Sequence, residues 1–393
     1  MTRTSPRDIV IIGMTSSWDL KSGVMNRNAA VLYELLSRPT TGKVLLVNFL
    51  PFTLTLSLKT ALYARTVTSR LQTITVSKDM HPRCAGKQFY ALSIPFPRSA
   101  ERAICRALKD LCMDQSLGIS YHPLFARLFL DLPLRSHIFE AVDDWRHHPS
   151  FITRVQQLTS HYQILEQNCD GITTVSPSLR NIFSRNPHVA WIPNGVDLET
   201  FDQLRKDSGQ SILSDISHPI IGYNGVIQGR IDLSFIEFLA QQHPDYSIVL
   251  IGPIWPRVLT RFRKKDPQLQ RLKSYPNVHF LGFQTATRTM RAILDYDVAI
   301  LPHHVTELTH SMNPMKLYEY LGAGKPVVST PIAGREAFPD LIRAASTPEA
   351  FVKAVEDALA FDSKEREQQR IAAVANHTWR NRVDSILQVA KGL

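Results

Sequence analysis

The sequence predicts an α/β fold with parallel sheets, divided into two domains. Short, apolar, β-branched runs alternate with amphipathic helical stretches along the chain, the pattern of strands joined by crossover helices. At 393 residues there is room for two domains with full cores. A polar stretch over 201–218 separates two series of strands and reads as a linker. The expected division is 1–200, the linker 201–218, a second domain over 219–375 and a terminal helix over 376–393.

Taken in order, strands are expected over 8–14 and 43–50, with a loop over 15–25 and a helix over 26–36 between them. Strands near 73–76 and 90–94 precede a helix over 99–115 and a short strand that ends at His122. The apolar run 124–134 is expected to be a core helix. Strands over 137–142, 171–176 and 188–192 and helices over 151–168 and 177–183 complete the first domain, with Asn194-Gly195 as a turn. The second domain opens with a strand over 219–226 that runs into a glycine turn, then a helix over 233–241 and strands over 246–251, 277–283 and 297–302. Residues 310–331 read as a loop, a helix and a buried strand. Asn313-Pro314 is a helix-start signal, Lys316 to Leu321 favour about two turns, and Gly322 and Gly324 stop them. The last helix carries Trp379, Val383, Ile386, Leu387 and Ala390 on one face.

Composition narrows the class. Hydrophobic residues make up 44% and charged residues 20%, ordinary for a globular protein. No run of about 18 apolar residues is present, so no transmembrane helix is expected. The N-terminus lacks the apolar core and cleavage site of a signal peptide. Cys84, Cys105, Cys112 and Cys169 have no metal-site spacing and suit a reduced, cytoplasmic protein, with Cys105 and Cys112 expected in the core. Residues 1–195 hold 22 Lys+Arg against 13 Asp+Glu, whereas 196–393 hold 23 against 22. The basic first half therefore suits an anionic partner. Arg98, Arg102, Arg106 and Lys109 form one helical stripe that fits anionic lipid at the inner face of the plasma membrane, or a solvated face. No nucleic-acid motif accompanies the charge, so no nucleic acid is expected.

Two stretches carry chemistry. Lys316 and Glu319 are three apart and share a helix face near its start. There a cation and the helix N-terminus suit a diphosphate while a carboxylate accepts from ribose hydroxyls. The same spacing also suits a solvent-exposed ion pair. In the second stretch, the apolar strand 137–142 ends in Asp143, Asp144 and Trp145. Ligands in open α/β sheets sit beyond the carboxyl ends of strands, so an aspartate there can take a proton from an acceptor hydroxyl. Asp143 is the candidate base, and Asp144 is assigned to orient a substrate or brace the loop. A helix-capping pair remains the alternative. Gly225 permits close backbone approach, and Arg230 can fork onto a diphosphate. The strand over 297–302 delivers His303, His304 and Glu307 to its carboxyl end. Asp295-Tyr-Asp297 has a metal-binding form but precedes its strand, and 261–265 is a basic surface run, so neither is a site and no metal is expected.

The stretch from Asn313 to Val328 resembles the nucleotide-sugar signature of GT-B-fold glycosyltransferases, in particular family 4-like enzymes of exopolysaccharide and teichuronic-acid assembly. Val142 to Trp145 is similar to a motif of xanthan glucuronosyltransferase-type enzymes, with Asp143 at the position of the proposed base. The resemblance implies two Rossmann-like domains facing a central cleft, with the last helix crossing back to the first. It implies a donor site in which Lys316 and Arg230 meet phosphates and Glu319 meets ribose. Gly225, Asn313 and Met315 stand beside them, and Gly282 and Phe283 lie at the base. It also implies an acceptor-side loop with Ser17, Trp18 and Arg27. Most family 4 members carry a glutamate eight positions before Glu319; here that residue is Ser311, which leaves a retaining or inverting course open.

The function expected is metal-independent transfer of a sugar from a nucleotide-diphosphate sugar, UDP-linked by preference, to a hydroxyl of a saccharide or lipid-linked acceptor. No cofactor beyond that co-substrate is implied. The alternatives are a sugar-nucleotide epimerase or hydrolase of the same fold, and a catalytically silent binding subunit.

Overall fold

The computed structural model describes residues 7–49, 71–94, 100–254 and 266–390. The chain divides into two compact units, Met1–Pro193 with Trp379–Leu393, and Asn194–Thr378. Arg98, Trp255 and the basic run 261–265 lie outside the described residues.

In the first unit the strands are β1 (Arg7–Gly13), β2 (Thr41–Phe49), β3 (Gln72–Thr75), β4 (Gln88–Ile94), β5 (Leu117–Ser120), β6 (Ser136–Ala141), β7 (Gly171–Thr174) and β8 (Val189–Trp191). They form one sheet in the order β3-β4-β2-β1-β5-β6-β7-β8. Every pairing is parallel except the edge pair β3–β4. Helices cover both faces, which is why β1 reads as an unbroken apolar run with Ile9 to Ile12 all buried. The helix Arg27–Ser37 begins at Asn26, whose side chain caps the Ala29 amide. The terminal helix Trp379–Val389 buries Trp379, Val383 and Ile386 and packs on the Arg27–Ser37 helix and β7.

The second unit is a doubly wound sheet of β9 (Ile220–Asn224), β10 (Ser247–Ile251), β11 (Val278–Gly282), β12 (Val298–Leu301), β13 (Val327–Ser329) and β14 (Ile342–Ala344). The order is β11-β10-β9-β12-β13-β14, all parallel. The winding reverses between β9 and β12, so their carboxyl ends leave the crevice in which such sheets hold ligands. Asp297 lies before β12, at the other end of the sheet, where its carboxylate accepts from the Ile220 amide (2.6 Å) and contacts His218 Nδ1 (2.6 Å).

Several local expectations are corrected. The stretch 15–25 is not all loop: a short helix, Ser17–Lys21, starts from a Ser16/Asp19 capping box. The stretch 201–218 is not simply a linker. Asp197 caps the helix Leu198–Lys206, which buries Phe201 in the core of the second unit. The run 124–134 shortens to the helix Ala126–Asp131. Cys112 is exposed with φ of 52° beyond its helix, and Cys105 is only half-buried. A further helix, Glu307–Ser311, begins at a Thr306/Thr309 capping box.

Candidate donor site and acceptor-side loop

In the second unit, the helix Met315–Gly322 starts after Pro314 and buries Leu317, Tyr318, Tyr320 and Leu321, while the face between them carries Lys316 and Glu319. The ion pair that their spacing also suited does not form. Lys316 turns over the end of β9, with its Nζ 5.6 Å from the centre of the Tyr223 ring. A Cβ added at Gly225 would fall 2.7 Å from that Nζ and closer still to Cε, and Gly225 has φ of 131°. Glycine is thus required twice over, by conformation and by the lysine packed on it. Glu319 turns the other way and accepts from Asn224 Nδ2 at 3.2 Å.

Burial pushes the Lys316 ammonium down to about 8, Glu319 opposes that shift, and Arg230 adds to it. Burial also raises the Glu319 carboxyl, against the pull of Lys316 and of the Asn224 hydrogen bond. A half-buried cation that is only partly compensated is prepared for an incoming anion. Arg230 is half-buried, and its Nη1 lies 3.7 Å from Met312 Sδ. Its carbonyl accepts from the His304 amide (2.8 Å), which fixes the arginine beside the end of β12.

Glycines step across the neighbouring strand ends. The Gly225 amide donates to Ile251 O and the Gly252 amide to Gly282 O, each at 2.8 Å. Gly282 has φ of 65°, no described residue crowds its side-chain side, and Phe283 beyond it is 44% exposed on the same strand-end edge. Gly225→Ala is expected to weaken nucleotide-sugar binding at least tenfold, because the methyl displaces Lys316 and strains the turn. Binding calorimetry with UDP-glucose checks this, and unchanged affinity would detach Lys316 from the ligand.

Other residues expected at the donor have contacts of their own. Asn313 braces the chain instead: its Oδ1 accepts from the Asn194 amide (2.7 Å), its carbonyl from Asn194 Nδ2, and its Nδ2 donates to Tyr318 Oη (3.1 Å). Met315 is half-buried in the first turn of the helix. Ser311 is buried, with Oγ donating to Leu308 O at 2.9 Å. Among the residues brought together, Tyr223, Asn224 and Met312 had no motif to mark them.

In the first unit, Asp143 and Asp144 follow β6 and behave differently. Asp144 is buried, caps the Arg146 amide (3.1 Å), and holds the Arg146 guanidinium with both oxygens at 2.8 and 2.7 Å. Those contacts are of the bracing kind, one of the two parts expected of Asp144. Tyr162 supports the loop from below: its Oη donates to Asp143 O and accepts from the Trp145 amide, each at 3.1 Å. Asp143 is half-buried.

Arg27 is corrected outright. Its guanidinium points into the first unit, paired with Glu140 at 2.6 Å, with Nη1 donating to Pro193 O at 3.0 Å. Trp379 lies under it at 5.9 Å. Ser17 is buried as well, whereas Trp18 stays 59% exposed, so of these three only Trp18 presents a side chain outward.

Residues 233–360, which include Lys316 and Glu319, match the family model described as Glycosyl transferases group 1, an enzyme family. Over 169 residues the chain is 28% identical to the putative teichuronic acid biosynthesis glycosyltransferase TuaH of Bacillus subtilis (strain 168), a match that spans 42% of this chain and 41% of that relative. Among solved structures, an E. coli trehalose-6-phosphate protein bound with UDP-2-fluoro glucose superposes with a TM-score of 0.67 at 12% identity, covering 98% and 99% of the two chains. Sucrose-phosphate synthase from Thermosynechococcus elongatus superposes with a TM-score of 0.69 at 15% identity, covering 98% of each. The fold is therefore GT-B, with two Rossmann-like units, and residues 233–360 of the second unit are similar to group 1 glycosyl transferases.

Proposed function

We propose that the chain transfers a sugar from a UDP-sugar to a hydroxyl of a saccharide or lipid-linked acceptor in the synthesis of a cell-surface polysaccharide. The reading rests above all on Lys316, a half-buried cation seated on Gly225 where the winding of the sheet reverses. The group 1 match over 233–360, the likeness to TuaH and the UDP-sugar bound by a protein of the same fold support it.

In the proposed reaction the bond between the anomeric carbon and the β-phosphate oxygen breaks, and the nucleoside diphosphate keeps the electron pair. Lys316 and Arg230 stabilise that growing charge, which is worth most where water is excluded. Glu319 accepts from the ribose hydroxyls. The acceptor oxygen bonds to the anomeric carbon and its proton passes to Asp143 when attack is in line. Ser311, in place of a second glutamate, leaves the sugar ring to be oriented by other groups.

No helix among the described residues is long and apolar enough to cross a membrane. Arg102, Arg106 and Lys109 are exposed on one helix, and we assign them to anionic lipid at the inner membrane face.

One assay tests the reading: the chain with UDP-glucose, UDP-N-acetylglucosamine or UDP-glucuronate, with and without a bacterial membrane extract. Labelled sugar should appear on a component of the extract, and the chain should sediment with it. Asp143→Asn should lower transfer about 10²–10⁴-fold with UDP-sugar binding retained. Sugar released equally without extract would favour a hydrolase or epimerase and sink the transferase reading.

A further inference from the structure

His303 is left unexplained by this scheme. It stands just past the carboxyl end of β12, is 1% exposed, and neither ring nitrogen has a hydrogen-bond partner among the described residues. Buried polar groups are rarely left so, and the exceptions call for a cause. Its backbone is pinned on two sides: its amide donates to Thr330 Oγ1 (3.1 Å), and its carbonyl accepts from the same hydroxyl (2.6 Å). A bridge to Ile231 places it opposite the loop that carries Arg230. The ring cannot leave the site by a shift of its loop without breaking these ties.

The groups around the imidazole come from every neighbouring element. Tyr223 of β9 presents its ring at 6.3 Å, edge to face. Lys316, from the Met315–Gly322 helix, and Arg230 both act on it electrostatically, as does His304. His304 is turned to Asp232, 3.2 Å away. Among the described residues, the groups that act on the ring are these two cations and His304.

We propose that His303 is a positioning residue for the donor phosphates, a neutral imidazole beside Lys316 and Arg230 that takes up a proton when a nucleotide diphosphate settles on those cations. This rests on the reading of Lys316 and Arg230 as the seat of the diphosphate. In the empty site, burial first and then the two cations hold the ring well below the ordinary histidine range, so it is neutral at neutral pH. Two negative charges on the phosphates offset the cations and favour the imidazolium. A third positive charge then lies beneath the leaving group only while the diphosphate is present. A permanent third cation would instead repel Lys316 and cost the empty site stability.

The test is calorimetric titration of the whole chain with UDP-glucose at pH 6.5 in two buffers of different ionisation heat. The phosphates of UDP-glucose stay ionised there, so the ligand brings no titrating proton. Lys316, near 8, is already protonated at that pH and contributes little. Wild type should take up on the order of half a proton per ligand, and His303→Gln, which cannot ionise, should take up none while still binding at pH 8. His303→Phe repeats the measurement in case glutamine disturbs folding. Wild-type uptake below about a tenth of a proton, or equal uptake in the variants, overturns the proposal. Failure of wild type to bind any UDP-glucose or UDP would instead overturn the diphosphate seat itself.

Discussion

Lys316→Met is expected to lower sugar transfer about a thousand-fold, a loss of roughly 4 kcal/mol of transition-state stabilisation. Methionine keeps the length and apolar stem and removes only the charge. The loss should fall on turnover more than on binding, because charge on the departing diphosphate grows as the glycosidic bond breaks. Lys316→Arg should not rescue it, since the stem lies against Gly225 and leaves no room for a planar fork. The pH dependence has a definite sign. The lysine is lowered from 10.5 to about 8, so above pH 8 the free chain loses the ammonium and UDP-glucose affinity should fall by up to tenfold per pH unit. The methionine variant should show no such fall. Stability runs the other way: between about 8 and 10.5 the unfolded chain holds a proton that the folded chain has lost, so this group's contribution rises with pH through that window and its penalty is full below it. At pH 7 the methionine variant should therefore melt no lower than wild type. Transfer within tenfold of wild type would remove Lys316 from the mechanism.

The helix and the glycine turn of the candidate donor site were legible because their signals are local. Asn313-Pro314 starts a helix, Lys316 and Glu319 then share a face, and the glycine turn after β9 sits at a strand end. Which way each side chain turned was not legible, since Tyr223, Asn224 and Gly225 lie more than 90 residues earlier. The bracing by Asp144 has a local signal too: an aspartate two residues before an arginine can cap and pair within one turn, as it does here. The helix Leu198–Lys206 was hidden by polar composition, while the spacing of Phe201 and Leu204 behind Asp197 carried its period. Asn313 kept its place but changed its part, because a side chain at a helix start can reach a distant backbone as readily as a ligand.

Arg27 shows the limit of such reading, and it carries the largest expected effect on stability. It follows a glycine- and serine-rich loop, where an arginine suggests substrate contact. Its partner Glu140 lies 113 residues away, with the pair 5% and 1% exposed. Three nitrogens are used, two on Glu140 and one on the Pro193 carbonyl, and Thr173 Oγ1 adds a bond to the same carboxylate at 3.1 Å. Removing one partner of a buried pair strands the other charge, so Arg27→Met should destabilise the chain by about 3–5 kcal/mol. The carboxylate cannot reach water in the folded state, and it loses its counter-charge there. The loss should accordingly shrink when Glu140→Gln is added, whereas two independent defects would sum. Urea unfolding of the two single variants and the double variant measures that coupling. A contact to acceptor would behave differently: Arg27→Met would leave the unfolding midpoint in place and raise the KM for acceptor. The two outcomes separate a strut from a substrate contact, and the fourfold engagement of this ion pair predicts the strut.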